Sequence, residues 1–296
     1  MKLVDQGSFM HVSSLKLDIG NTAQALERHE DFESCIRAHY QVLLGPYSKR
    51  PFFYKSAMKY SRLMVSFALF SEYFSKPTAL LCEVKAFCVA RGYCSRNSLE
   101  SIFLLFRALG FMEVDAHPED SRFRVYAPSD EACREVRLML TSITDSLALM
   151  CPEKDLFRTM REMDDRRFLA LYFKGFAQIL ADEMTVDVLL PDCYWLVKKD
   201  AGHLLMLAIY NDAFSPENER MTFKSSSYLA LAQQLSVSKT HIIRMVREGV
   251  EKGYFKVHAK KQLEVLPAFV RLVRRFMAFS FAVGLHAVER GERDAC

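Results

Sequence analysis

The run Leu229-Ala230-Leu231-Ala232-Gln233-Gln234-Leu235-Ser236-Val237-Ser238-Lys239-Thr240-His241-Ile242-Ile243-Arg244-Met245-Val246-Arg247 leaves this chain few ways to fold. Leu231, Ala232 and Leu235 share one face of a first helix, and Ile242, Met245 and Val246 share one face of a second. The small side chain of Ala232 lets the two helices cross closely. Ser236 falls in the tight turn between them and Val237 plugs the corner. Ser238 is a favourable N-cap for the second helix, because its hydroxyl can accept a backbone N–H of the first turn. With the inner faces buried, Lys239, Thr240, Arg244 and Arg247 point outward.

The period then changes from helical to alternating. Tyr254-Phe255-Lys256-Val257-His258 leads through Ala259-Lys260-Lys261 to Gln262-Leu263-Glu264-Val265-Leu266, which reads as strand, turn, strand. Gly253 stands just before, where a helix C-terminus favours glycine. A second stretch has the same plan. Phe111-Met112-Glu113-Val114-Asp115 passes through His117-Pro118-Glu119-Asp120 to Arg122-Phe123-Arg124-Val125-Tyr126, and Gly110 precedes it. At an offset of 143 residues Gly110 falls on Gly253 and Ser95 on Ser238. The same offset sets Leu99 on Ile242, Ile102 on Met245 and Val114 on Val257. Few residues are identical, so the repeat is one of pattern. It predicts a mainly α chain with two small β-hairpin wings, built as two related units in pseudo-two-fold arrangement.

Helix, tight turn, capped helix and hairpin, occurring together over about 45 residues, resemble the winged helix-turn-helix regulators and among them the mostly helical MarR-like proteins. The resemblance implies sequence-specific binding of double-stranded DNA in transcription regulation. By position it places Ser238, Lys239, Thr240, His241, Arg244 and Arg247 on the helix that enters the major groove. It places Lys256, Lys260 and Lys261 on a wing against the phosphates. One departure is Gly249, where the pattern has a packed leucine. Glycine inside a helix costs roughly 1 kcal/mol, so the expectation is a helix that bends or ends early there.

Charge separates the two units. Thr222 to Arg275 carries 11 Lys/Arg against 3 Asp/Glu, a net of +8, whereas Pro77 to Glu135 carries 7 against 9, a net of −2. Clustered cations are what a phosphate surface needs, so the second unit is the expected DNA contact. The first has an acidic wing tip, Glu119 and Asp120, and Glu100 on its second helix beside Arg96 and Asn97. Its expected role is to complete the core or contact another protein. A plasmid replication initiator also pairs two winged helices, but would carry two basic wings. A winged-helix interaction scaffold without DNA is the other alternative.

The predicted organisation is an N-terminal extension over 1–25, a first unit over 26–152, a second over 153–290 and a polar tail over 291–296. Residues 211–226, with Ser215-Pro216-Glu217-Asn218, read as an exposed loop. Pro267 to Val288 is apolar nearly all round after Arg275, so it must be buried, either as a dimerisation helix or against the equivalent helix Ser129 to Leu149. None of the eight cysteines forms a C-x-x-C pair, and no histidine pair has metal-ligand spacing. The chain shows no Gly-rich phosphate loop, G-x-S-x-G or H-E-x-x-H motif. The expectation is therefore a binding protein without cofactor or metal rather than an enzyme, and no pattern names a small-molecule effector. The first residues lack the apolar core of a secretory signal. The longest apolar stretch, Phe276 to Leu285, is about half the ~20 residues a membrane span needs. A cytoplasmic location is expected.

Overall fold

A computed structural model describes residues 6–213, 227–258 and 263–294, with side chains from Ser14 onward. The chain is mostly helical. Helices α1 (Gln6–Glu27), α2 (Phe32–Lys49), α3 (Pro51–Ala57), α4 (Tyr60–Ser75), α5 (Leu81–Ala90) and α6 (Arg96–Ala108) lead to the antiparallel pair β1 (Met112–Ala116) and β2 (Arg124–Pro128). There follow α7 (Asp130–Met150), α8 (Asp155–Glu162), α9 (Asp165–Ala181), α10 (Val186–Leu189), α11 (Pro191–Val197), α12 (Gly202–Ala213), α13 (Tyr228–Gln234) and α14 (Lys239–Glu251). A second antiparallel pair, β3 (Phe255–Val257) with β4 (Leu263–Val265), precedes α15 (Pro267–Arg293). Of the loop expected over 211–226, Asn211–Ala213 instead complete α12 and the rest, like the expected wing tip Lys260 and Lys261, lies outside the described residues. Among the described residues no helix is long and apolar enough to cross a membrane.

Two compact units result, each discontinuous in sequence. One comprises Met1–Phe32, Met64–Leu189 and Ala278–Cys296; the other comprises Glu33–Leu63 and Leu190–Met277. The α5–β2 segment lies in the first unit and the α13–β4 segment in the second.

The first unit is held by an aromatic cluster and by unusually close backbones. Phe67 of α4 meets Phe173 and Phe176 of α9 edge-on at 5.5 and 5.2 Å, a geometry the ring quadrupoles favour. Where α9 meets the end of α15, glycine is required for steric reasons. A Cβ on Gly175 would sit 2.0 Å from the Ala287 carbonyl oxygen, and one on Gly291 would sit 1.8 Å from that of Leu171. On α7, Ile143 fills the space left by Gly284, where a Cβ would come within 2.5 Å of its Cγ2. The apolar run Ala278–Val288 is thus buried against α7 and α9 of its own unit.

The second unit holds polar groups in and at the edge of its core. The hydroxyl of Tyr210 donates to Glu33 at 2.6 Å, and Arg274 pairs with the same carboxylate. His39 and His203 stack with ring centroids 5.6 Å apart, and Phe276 covers His203 edge-on at 5.2 Å. Burial, and for His39 also the neighbouring His203, lowers both pKa values; that of His203 falls to about 4.

Two predictions follow from this packing. Gly175→Ala should destabilise the chain by at least the roughly 1–3 kcal/mol typical of overpacking, because carbonyl oxygen rather than a movable side chain blocks the methyl. Gly45→Ala, on α2 with open space around its Cα, should instead stabilise by up to ~1 kcal/mol. Urea midpoints for the two variants, shifted in opposite directions, are the expected result. The histidine pair sets a pH dependence. The unfolded chain takes up protons on these rings near the ordinary value of 6.5, whereas the folded chain resists until far lower pH. Stability is therefore complete above pH 6.5 and falls as pH drops toward about 4, by up to ~1.4 kcal/mol per pH unit for each histidine. His203→Gln should flatten that slope when unfolding free energy is measured across the window.

Candidate nucleic-acid interface

The geometry of α13 and α14 follows from their caps. Ser227 accepts the Ala230 N–H at 3.2 Å and starts α13. At its end Ser236 adopts φ 48°, and the Val237 N–H returns to the Ala232 carbonyl at 3.0 Å. Ser238 then caps α14, its hydroxyl accepting from the His241 N–H at 3.1 Å. Leu231, Ala232, Leu235, Ile242, Met245 and Val246 are all buried, and that removal of apolar surface holds the two helices together. Gly253, at φ 75°, closes α14 with Tyr254 N–H bonded to the Gly249 carbonyl at 2.8 Å. The same events occur at the same offset in the α5–β2 segment: Ser95 caps α6, Gly110 has φ 70°, and Phe111 N–H returns to Phe106.

Gly249 does not end the helix early, contrary to the expectation from propensity. α14 continues through it to Glu251, with Gly249 buried. The reason is packing: a Cβ there would lie 2.4 Å from the Phe255 ring and 3.3 Å from that of Trp195. Trp195 in turn stacks on Tyr254, centroids 5.8 Å apart and planes 2° from parallel. Lys199 and Lys252 place their ammonium groups 5.5 and 5.9 Å from the indole centroid. The hairpin is thereby clamped against the end of α14, with Phe255, Leu263 and Val265 turned inward.

The outer face of α14 carries Lys239, Thr240, Arg244 and Arg247, all exposed as expected. Arg244 and Arg247 line a shallow depression with Glu248, Glu251 and Lys252. Lys199 pairs with Glu248 and offsets part of the acidic charge. His241 is only half exposed; its Nε2 lies 3.0 Å from the Asp200 carbonyl, so the ring braces the start of α14. On the hairpin, Lys256 is exposed and stands opposite Glu264, which also contacts His258 Nε2 at 2.5 Å. Sequence reasoning gives no weight to this carboxylate opposite Lys256, although Glu264 stands in the same hairpin. No family model, curated protein or solved structure matches this chain.

The corresponding face of α6 has a different chemistry. At the positions of Arg247, Glu248 and Lys252 stand Leu104, Leu105 and Leu109, exposed by 65%, 40% and 44%. Glu100 is held by Lys85 at 2.5 Å. At the hairpin tip Asp120 accepts from Arg122 through both carboxylate oxygens, 2.9 Å at Oδ1 and 2.6 Å at Oδ2, which offsets the charge of that exposed arginine.

Gly249→Ala should be destabilising by about 1–3 kcal/mol despite the ~1 kcal/mol helix propensity it gains, because the Phe255 ring must move. As the chain has a single tryptophan, Trp195 emission should shift in the same variant. A stabilised variant with unchanged emission would count against the clamp.

Proposed function

We propose that this chain is a sequence-specific duplex DNA-binding protein acting in transcription regulation. It reads the major groove with α14 and holds the backbone with the β3–β4 hairpin. The observation that carries the reading is the division of α14 into two faces. One is fully buried and fixed by caps at both ends. The other presents Lys239, Thr240, Arg244 and Arg247 to solvent. A rigid helix with outward cations and hydrogen-bonding groups at its start is what base-edge contacts require. Ser238 and His241 shape that start, through the cap and the Asp200 contact. Lys256, with Lys260 and Lys261, supplies the phosphate-facing charge of the hairpin.

A second role is favoured for the α5–β2 segment by its exposed leucines. Leu104, Leu105 and Leu109 at the positions of charged α14 residues suit an apolar protein partner better than phosphates. On this reading the two segments divide the labour, one binding DNA and the other binding protein.

The test is selection of a preferred duplex from a random pool, followed by titrations at several salt concentrations. Affinity should fall with salt with a log–log slope of about −0.9 per phosphate contact. Arg244→Ala should cost ~1–3 kcal/mol on the selected sequence and little on random duplex. Replacing Arg96 and Asn97 with alanine should leave most of the binding. Equal losses from the two variants would make both segments DNA readers, and a salt-independent interaction would favour a scaffold that does not use DNA.

A further inference from the structure

We infer that the segment from Lys49 to Lys59 is a second DNA-contacting surface, gripping the sugar–phosphate backbone beside the site read by α14. The inference rests on the DNA-binding reading above and adds to it a surface outside both α14 and the hairpin.

Charge composition is the first ground. Between Ser48 and Ser71 there is no acidic residue, whereas Lys49, Arg50, Lys55, Lys59 and Arg62 are all cationic. The second ground is the way α3 displays its side chains. Pro51 opens the helix, and Tyr54 and Met58 are buried, which fixes the element against its unit. Phe52 points the other way and is 76% exposed. Lys55 lies over the Phe52 ring with its ammonium 4.6 Å from the centroid, and Arg50 lies over Phe53 at 5.5 Å. The Phe52 ring holds the Lys55 ammonium in place without neutralising it. Lys49 is exposed at the end of α2.

The third ground is position, and all of it lies within one compact unit. Tyr47 is buried and its hydroxyl donates to the Leu235 carbonyl at 2.6 Å, in the turn between α13 and α14. Lys59 reaches Asp200 at 3.7 Å, and the Asp200 carbonyl is the atom that meets His241 Nε2 at 3.0 Å. The start of the segment is thus pinned beside the turn before α14, and Lys59 at its end reaches the residue that meets His241. If the start of α14 enters a major groove, an element fixed next to the preceding turn faces the strand that borders the groove. A deoxyribose–phosphate chain offers anions for Lys49 and Lys55 and an apolar sugar face for Phe52. A lipid surface would match the charge, but amphipathic anchors bury a broad apolar face, and here Tyr54 and Met58 are turned inward.

The test compares two duplexes carrying the selected sequence, one trimmed to the contacted base pairs and one with long flanks on both sides. On the long duplex, Lys49→Gln with Lys55→Gln should weaken binding and reduce the salt slope by about 1.8, or 0.9 for each cation lost. Phe52→Ala should weaken binding without changing the slope. On the trimmed duplex wild type and variants should be alike, and thermal midpoints check that each variant folds, Lys49 and Phe52 being exposed and Lys55 half-buried. Arg244→Ala serves as the control, losing sequence preference on both duplexes. If wild type binds and prefers its sequence while the Lys49/Lys55 variant shows an unchanged slope on the long duplex, the flanking surface is wrong and the α14 reading stands. If wild type binds no duplex, both readings fall. Loss of binding to phosphatidylserine vesicles in the variant, with DNA binding intact, would assign the surface to a membrane instead.

Discussion

The contact between the bare Cα of Gly249 and the ring of Phe255 decides how the hairpin meets the helix before it. A helix end and a two-stranded hairpin are each marginal alone, since neither encloses apolar surface. Here the ring enters the space a side chain would occupy, Phe269 backs it at 4.7 Å, and Trp195 with Tyr254 closes the flank. The direction of α14 and the direction of the hairpin become one quantity. Any ligand that spans both meets a preset angle, and ordering costs on binding are correspondingly small.

The two segments that share this plan show how the same backbone supports different surfaces. The serine cap of the second helix and its glycine terminus recur at Ser95 and Gly110 as at Ser238 and Gly253. The outward residues do not recur. Leucines on α6 and cations on α14 leave the buried pattern untouched, because side chains on the solvent face contribute little to the packing. Surface chemistry diverges freely on such a frame, which is why a shared plan does not carry a shared partner.

Much of the fold was legible in the sequence because the signals were local. The periodicities of α6, α14 and both hairpins, the serine caps and the glycine ends each depend on a few neighbouring residues. The burial of Leu231, Ile242 and Met245 follows from spacing alone. Gly249 was misread because helix propensity is a local argument, while its cause is Phe255 across the packing interface. The Asp200 contacts of His241 and Lys59 and the Tyr47 hydrogen bond were invisible for the same reason: their partners are far away in the chain. The cations between Lys49 and Lys59 carry no motif, and only proximity to the turn before α14 gives them a meaning.

The division of the chain into interleaved units has a consequence for synthesis. The unit that contains α1 and the α5–β2 segment also contains Ala278–Cys296, and the glycine contact at Gly291 needs that segment in place. The unit that begins to emerge first therefore cannot finish folding until residues near 290 have left the ribosome. By then all of Leu190–Met277 has been made, so the unit inserted in the middle can complete its core earlier. The last-made turns of α15 act as a closing stitch, and during translation the faces of α7 and α9 that receive them stay open to solvent and to chaperones.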